Sequence, residues 1–185
     1  ERVRHREVSE PGTTMLVRAA FHLTGVPSKH SDALARAADY VKRAGGAAAL
    51  KKRYGRDKSI AVPILTNCAL VGLVPWREVP SLPFELTCLP RWASRIARAP
   101  AANYTLPALI ATGQARFYFE KPHNPVTRMV RRASIDKSLM VLEQMQPESG
   151  GFFEATPLTS FVVMSLAAMN RATHPIVQRG VEFLL

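Results

Sequence analysis

The sequence predicts an all-α fold, an α/α-barrel (toroid) of helical hairpin repeats that is incomplete within these 185 residues. Three observations carry that expectation. Apolar residues recur at helical spacing along most of the chain, and no segment alternates with a period of two. The helical stretches come in pairs separated by glycine and proline turns, as a toroid or solenoid requires. One such pair also recurs: residues 14–17 and 36–41 (Thr-Met-Leu-Val, Arg-Ala-Ala-Asp-Tyr-Val) lie over residues 159–162 and 179–184 (Thr-Ser-Phe-Val, Arg-Gly-Val-Glu-Phe-Leu), with two extra residues in the first copy's turn.

Residues 1–11 read as a charged leader and residues 12–185 as the helical domain. A first helix over 14–23 is stopped by Gly25 and Pro27, and a second over 32–44 by Gly45 and Gly46. In the second, Leu34, Ala37, Ala38 and Val41 share a face, with Arg36, Lys42 and Arg43 away from it, so that face must pack on another helix. Residues 61–71 form an apolar helix in which Pro63 fits only the first turn, ended by Gly72. Pro75, Pro80, Pro83 and Pro90 make residues 74–90 a connection with room for at most one short helix, between Pro83 and Pro90. Helices follow over 93–98 and 104–118, with Pro107 near the start of the latter, then a flexible loop at 120–125 holding Pro122 and Pro125. The rest reads as a helix over 134–146, a glycine-bearing turn at 147–154, and helices over 158–169 and 175–185. The apolar run 161–169 is broken only by Ser165 and reads as buried; no run reaches the 18 residues a membrane span needs.

With 47% hydrophobic and 21% charged residues the chain is composed like a folded domain. Its net charge of +11 favours an anionic partner: nucleic acid, an anionic lipid surface or a pyrophosphate. The arginines are scattered apart from a denser run at Arg128, Arg131 and Arg132, and no nucleic-acid-binding motif accompanies them, which favours solvated helix faces or a membrane surface over nucleic acid. Cys68 and Cys88 have no companions at zinc spacing, so they read as buried thiols in a reducing compartment, with no metal and no disulfide framework. His22, His30, His123 and His174 lack metal spacing, His5 lies in the leader, and all read as solvated or capping. Gly45-Gly46 is not followed by a phosphate-loop Lys-Ser/Thr, and no nucleophile triad is legible.

One segment carries a finer pattern: Lys137, Ser138, Leu139-Met140, Val141-Leu142, Glu143-Gln144-Met145, Gln146, Pro147-Glu148-Ser149, Gly150, Gly151, Phe152. It resembles the QW repeat of class II triterpene cyclases in every position but the last, where Phe152 stands for tryptophan. Such a glutamine amide is expected to cap the open end of a neighbouring helix while the aromatic ring lies over its own, the glycines allowing the tight turn between them. A second instance opens at Arg179-Gly180-Val181-Glu182-Phe183-Leu184 behind His174-Pro175. Residues 75–80 (Pro-Trp-Arg-Glu-Val-Pro) and 82–86 (Leu-Pro-Phe-Glu-Leu) resemble the Pro-Trp-Glu and Pro-Pro-Glu segment of squalene-hopene cyclases, and residues 156–161 stand where that family has a proline-rich loop beside its cavity. The start at Glu1 and the half repeat ending at Leu185 read as an interior or N-terminal-half fragment, with a divergent paralogue as the alternative to a typical member.

The resemblance implies an intramolecular cyclase that protonates a terminal alkene of a long polyprenyl hydrocarbon such as squalene from an Asp-x-Asp-Asp motif. Such an enzyme steers the carbocation in a dry, aromatic-lined cavity, uses no cofactor or metal, and sits on the cytoplasmic face of the cell membrane. No Asp-x-Asp-Asp occurs in the sequence, so no catalytic residue is assigned and the fragment alone is expected to be inactive. Phe152, Phe153, Glu154 and Pro157 are the candidates for a cavity wall or entrance, against a purely bracing role for the two phenylalanines and a capping role for Glu154. Tyr104 is a further wall candidate, with helix packing as its other reading; Glu85 reads as the partner of Arg91 or Arg95 in a structural ion pair. The family's tryptophan and arginine have no counterpart at residues 101–107, and only Pro157 remains of its paired loop prolines, so the resemblance does not fix squalene and hopene as substrate and product. Two other classes compete: a non-catalytic α/α-repeat module binding a protein or lipid ligand, and a protein prenyltransferase β-type subunit, for which the Asp, Cys and His zinc set is missing.

Overall fold

The computed structural model describes residues 10–25, 30–54, 58–89 and 105–185. These contain eight α-helices and no strand: α1 (Pro11–Leu23), α2 (Ser31–Arg43), α3 (Gly46–Tyr54), α4 (Lys58–Leu70), α5 (Leu106–Phe119), α6 (Pro125–Met145), α7 (Thr156–Ala168) and α8 (Pro175–Leu184). The leader is outside the described residues apart from its end, since Pro11 already opens α1 and the Glu10 carboxylate caps it, accepting from the Thr13 amide at 2.6 Å. The helix expected at 93–98 also lies outside them.

The helices form hairpins laid side by side. α1, α4, α5 and α7 make a central row in which α4 touches α1, α5 and α7, while α2 packs on α1, α3 on α4, α6 on α5 and α8 on α7. The two copies of the internal repeat are thus the hairpins α1/α2 and α7/α8. Hydrophobicity explains the layering, because a helix that is apolar all round must be covered all round. Every residue from 61 to 69 in α4 is buried, as is most of α5, whereas α2 buries only Val41. Two core clusters result, one around Leu50, Val62, Leu65 and Val79, the other around Ile110, Leu142, Phe152, Leu166 and Ile176, and Trp76 packs against both.

Four expectations need correction. Gly45-Gly46 does stop α2, which ends at Arg43, but the turn is short: both glycines take positive φ (91° and 56°), and a further helix, α3, absent from the expected series, starts at once on an alanine-rich stretch. α4 starts at Lys58, which puts Pro63 inside the helix as its sixth residue and not in the first turn; burial of the whole segment outweighs the amide hydrogen bond proline cannot make. α6 begins at Pro125, nine residues before the expected 134, with the Asn124 side chain accepting from the Val126 and Thr127 amides. The Pro-rich connection holds two 3₁₀ turns, Trp76–Glu78 and Phe84–Cys88, where one short helix was expected.

Cys68 is buried, its thiol donating to the Met15 carbonyl at 3.6 Å, and burial pushes its pKa up to about 11. Cys88 is only half-buried, with its thiol 3.5 Å from the Ser134 carbonyl. Lys51 of α3 reaches the connection by donating to the Glu78 carboxylate at 2.6 Å. That hydrogen bond, then the lysine charge, holds the Glu78 carboxyl below the ordinary glutamate value. A carboxylate depressed in the folded state stabilises the fold above its unfolded pKa, and that contribution is lost as pH falls through the folded value. Glu78 should therefore titrate at a lower pH than a free glutamate in a ¹³C-detected NMR titration and move back towards it in Lys51→Met; an identical midpoint in both proteins would refute the bridge.

Candidate functional site

The segment 146–159 is where the chain turns from α6 into α7 and meets α8. Gln146 is buried at the C-cap of α6, and its Nε2 donates to the Gly150 carbonyl at 2.8 Å and to the Ile176 carbonyl at 3.0 Å. Gln146 was expected to cap an open helix end. Instead it adds a second donor to a carbonyl in the first turn of α8, while the start of α8 is capped by His174, whose Nδ1 accepts from the Ile176 amide at 3.3 Å.

The glycines are there for closeness. Gly150 has φ 83°, and a Cβ on it would strike the carbonyl oxygen of Arg179 and lie 2.7 Å from its carbonyl carbon. A Cβ on Gly151 would enter the Phe183 ring, and one on Gly180 would lie 2.7 Å from Val163 Cγ2. The first repeat therefore docks on the opening residues of the second, turn against helix, backbone on backbone at Gly150 and backbone on the Phe183 ring at Gly151. Arg179 Nη2 is 3.6 Å from the Glu143 carboxylate, and Lys137, at the head of the motif, is exposed.

Phe152 is completely buried in the second cluster with Leu139 and Leu142 of α6, and its amide donates to Thr159 Oγ1 at 2.9 Å, so the turn is pinned to α7, the helix that follows, as well as to the helix it leaves. That is the position of a brace. Phe153 is 56% exposed with φ 51°, and Glu154 follows at φ 52°, a left-handed pair that non-glycine residues adopt only under constraint. Glu154 caps no helix: its carboxylate accepts from Ser149 Oγ. Pro157 is exposed in the first turn of α7. Phe153, Glu154 and Pro157 are thus all exposed, while Tyr104 lies outside the described residues.

Two side-chain constellations were not legible in the sequence. Arg131, which the charge run marks as a surface residue, is buried: its Nε donates to Glu85 at 3.1 Å, its Nη1 to Ser81 Oγ at 2.6 Å, and its guanidinium lies 5.8 Å from the Phe84 ring centroid. Glu85 pairs with Arg131; Arg91 and Arg95, the partners expected from the sequence, lie outside the described residues. Arg116 fastens the same connection, donating to the Val79 carbonyl at 3.0 Å and to the Glu120 carbonyl at 2.8 Å. The available signal was the spacing of Arg131, Ser134 and Ser138, a polar face whose three members are all buried. The other constellation is an aromatic group at the end of α5, where Trp76 stacks on Phe119 (4.5 Å between centroids, 13° between planes) and Tyr118 meets Phe119 edge-on. Lys121 Nζ sits 4.7 Å from the Phe117 centroid.

Cavities of about 340 Å³ and about 400 Å³ flank Arg18, the first among α1, α3, α4 and the connection, the second between α1 and α2. Neither is lined by Phe152, Phe153, Glu154 or Pro157. Among the described residues no cluster of His, Cys, Asp and Glu could hold a metal ion, and no helix is long and apolar enough to cross a membrane. Residues 7–98 match the family model described as the squalene-hopene cyclase N-terminal domain, a stretch that runs from the leader through the connection and stops short of the turn at 146–152. No curated protein and no solved structure matches the chain.

Proposed function

We propose, from the premise that this chain carries a squalene-hopene cyclase N-terminal-type domain, that it is the helical scaffold half of an enzyme that cyclises a long linear polyprenyl hydrocarbon. Cyclisation starts when an acid protonates a terminal alkene and ends when the last cation loses a proton, so the product keeps the substrate's formula. The sequence contains no Asp-x-Asp-Asp, and on this reading the proton donor comes from outside these 185 residues. The contribution of the chain is rigidity and dryness: a carbocation survives only where water is excluded and the walls do not yield. Phe153, Glu154 and Pro157, each exposed in or just after the turn, are the residues assigned to the cavity border, and the complete enzyme works at a membrane surface, where its hydrocarbon substrate is dissolved.

The observation that supports this most directly is the docking of Gly150 and Gly151 on Arg179 and Phe183. It welds one helix pair to the next at fixed geometry, which a ring of hairpins around a cavity needs. The test is to incubate the complete protein with squalene and analyse the extracted hydrocarbons by gas chromatography and mass spectrometry. Polycyclic products of unchanged mass, absent with residues 1–185 alone, are expected. Squalene that is bound but recovered unchanged would replace the cyclase with a lipid-binding repeat module; squalene neither bound nor changed would remove the polyprene altogether.

A further inference from the structure

The N-terminal part of α6 is inside out. Its buried side holds Arg131, Ser134 and Ser138, with Leu139 and Leu142 buried only further along, while Val126, Met129, Val130 and Met140 point to solvent, with Val126 62%, Met129 69% and Met140 58% exposed. Residues 126, 129, 130 and 133 follow helical spacing and form one apolar stripe opposite the buried polar side; Met140 lies on the same face beyond the exposed Lys137. Exposed Arg128 and Arg132 lie along one side of the helix next to the stripe, and Lys121 is exposed in the loop just before the helix; from Lys121 to Ile135 there is no Asp or Glu. The aromatic group formed by Trp76, Tyr118 and Phe119 stands at the same end of the α5/α6 hairpin, because a loop of only five residues, 120–124, joins the two helices there.

We infer that the N-terminal half of α6 is the surface by which this protein lies on an anionic lipid bilayer, the aliphatic stripe entering the headgroup boundary and Arg128, Arg132 and Lys121 engaging phosphates. The combination is what an interfacial helix needs: aliphatic side chains to bury, cations beside them, and exposed aromatic side chains, Tyr118 and Phe119, at the same end of the hairpin. Nucleic acid would leave the stripe in water. A protein partner would favour a pocket holding one or two large anchors, whereas these side chains are strung along a convex helix, a shape that a fluid bilayer accepts without complementarity. The inference rests on the membrane part of the function proposed above, and supplies the contact surface that part lacks.

The test uses the complete protein with Cys88→Ser and Met129→Cys, labelled at residue 129 with an environment-sensitive fluorophore; Cys68 is buried and stays unlabelled. Vesicles of phosphatidylcholine, with and without phosphatidylglycerol, are added and co-flotation is measured in parallel. Expected are a blue shift of the probe and flotation with the anionic vesicles only, both weakened by salt. Arg128→Glu with Arg132→Glu in the unlabelled protein should lower vesicle affinity about tenfold or more. Flotation without a probe response would place the membrane contact elsewhere and overturn this surface while sparing the membrane reading; no flotation would overturn both. A probe already blue-shifted before lipid is added would mean that protein, from the same polypeptide or a second copy, covers the stripe. Should Met129→Cys fail to fold, Val126→Cys, equally exposed on the same stripe, gives the same readouts.

Discussion

Alanine at Gly150 is expected to lower the unfolding free energy by about 3 kcal/mol or more, whereas alanine at Gly72 should cost only about 1–2 kcal/mol. The pair separates two effects. Both glycines sit at positive φ, 83° and 74°, so both substitutions incur the left-handed backbone penalty. At Gly72 nothing lies within 4 Å of the new Cβ, and the penalty ends there. At Gly150 the Cβ meets the carbonyl of Arg179, which is backbone inside α8 and cannot rotate aside, so overpacking of about 1–3 kcal/mol is added as the turn lifts off the helix. Gly151→Ala should fall between them, because the clashing Phe183 ring can swing on its own side-chain torsions. Urea unfolding of the variants measures this directly; equal costs at Gly150 and Gly72 would mean that the turn does not rest on α8.

Removing the Arg131 guanidinium should be about as damaging. Arg131→Leu leaves the Glu85 carboxylate inside the structure with no counter-charge from α6, and breaking a buried pair from one side typically costs about 3–5 kcal/mol. The two side chains are only 9% and 15% exposed, so solvent screens them little, unlike Lys51 and Glu78 at 36% and 40%. The double variant Arg131→Leu with Glu85→Leu should recover most of the loss, because it removes both desolvation penalties together. A double-mutant cycle by denaturant unfolding is the measurement; single variants costing under about 1 kcal/mol would place the pair among ordinary surface ion pairs.

These two expectations differ in how far the sequence revealed them. The glycines belong to a local pattern in which Gln146, Gly150, Gly151 and Phe152 fall within seven residues, and such a pattern can be read because the groups that need one another are neighbours in the chain. Glu85 and Arg131 are 46 residues apart, and nothing near either one names its partner. Local reading even misled there. Arg128, Arg131 and Arg132 look alike as letters, yet the helix sends Arg131 inward and leaves the other two in solvent. The early start of α6 was missed for the same reason: its first turns carry polar residues inside and aliphatic ones outside, so periodicity alone gave no core-facing stripe. α3 escaped notice because Gly46–Tyr54 buries only Leu50 and so lacks a repeating apolar face.

By itself the sequence determined that the chain is helical, that its helices come in hairpins, where most of the turns fall, and which segment braces one hairpin to the next. All of these depend on contacts within a few residues: propensity, caps, proline placement and the spacing of one face. Only the tertiary structure decided that the glutamine meets a carbonyl in the first turn of α8, that Arg131 is an interior residue, that Phe152 goes to the core while Phe153 stays outside, and that α6 turns an apolar stripe to solvent. Which side of a helix is inside depends on what the rest of the chain packs against it, and that is information no short stretch of residues contains.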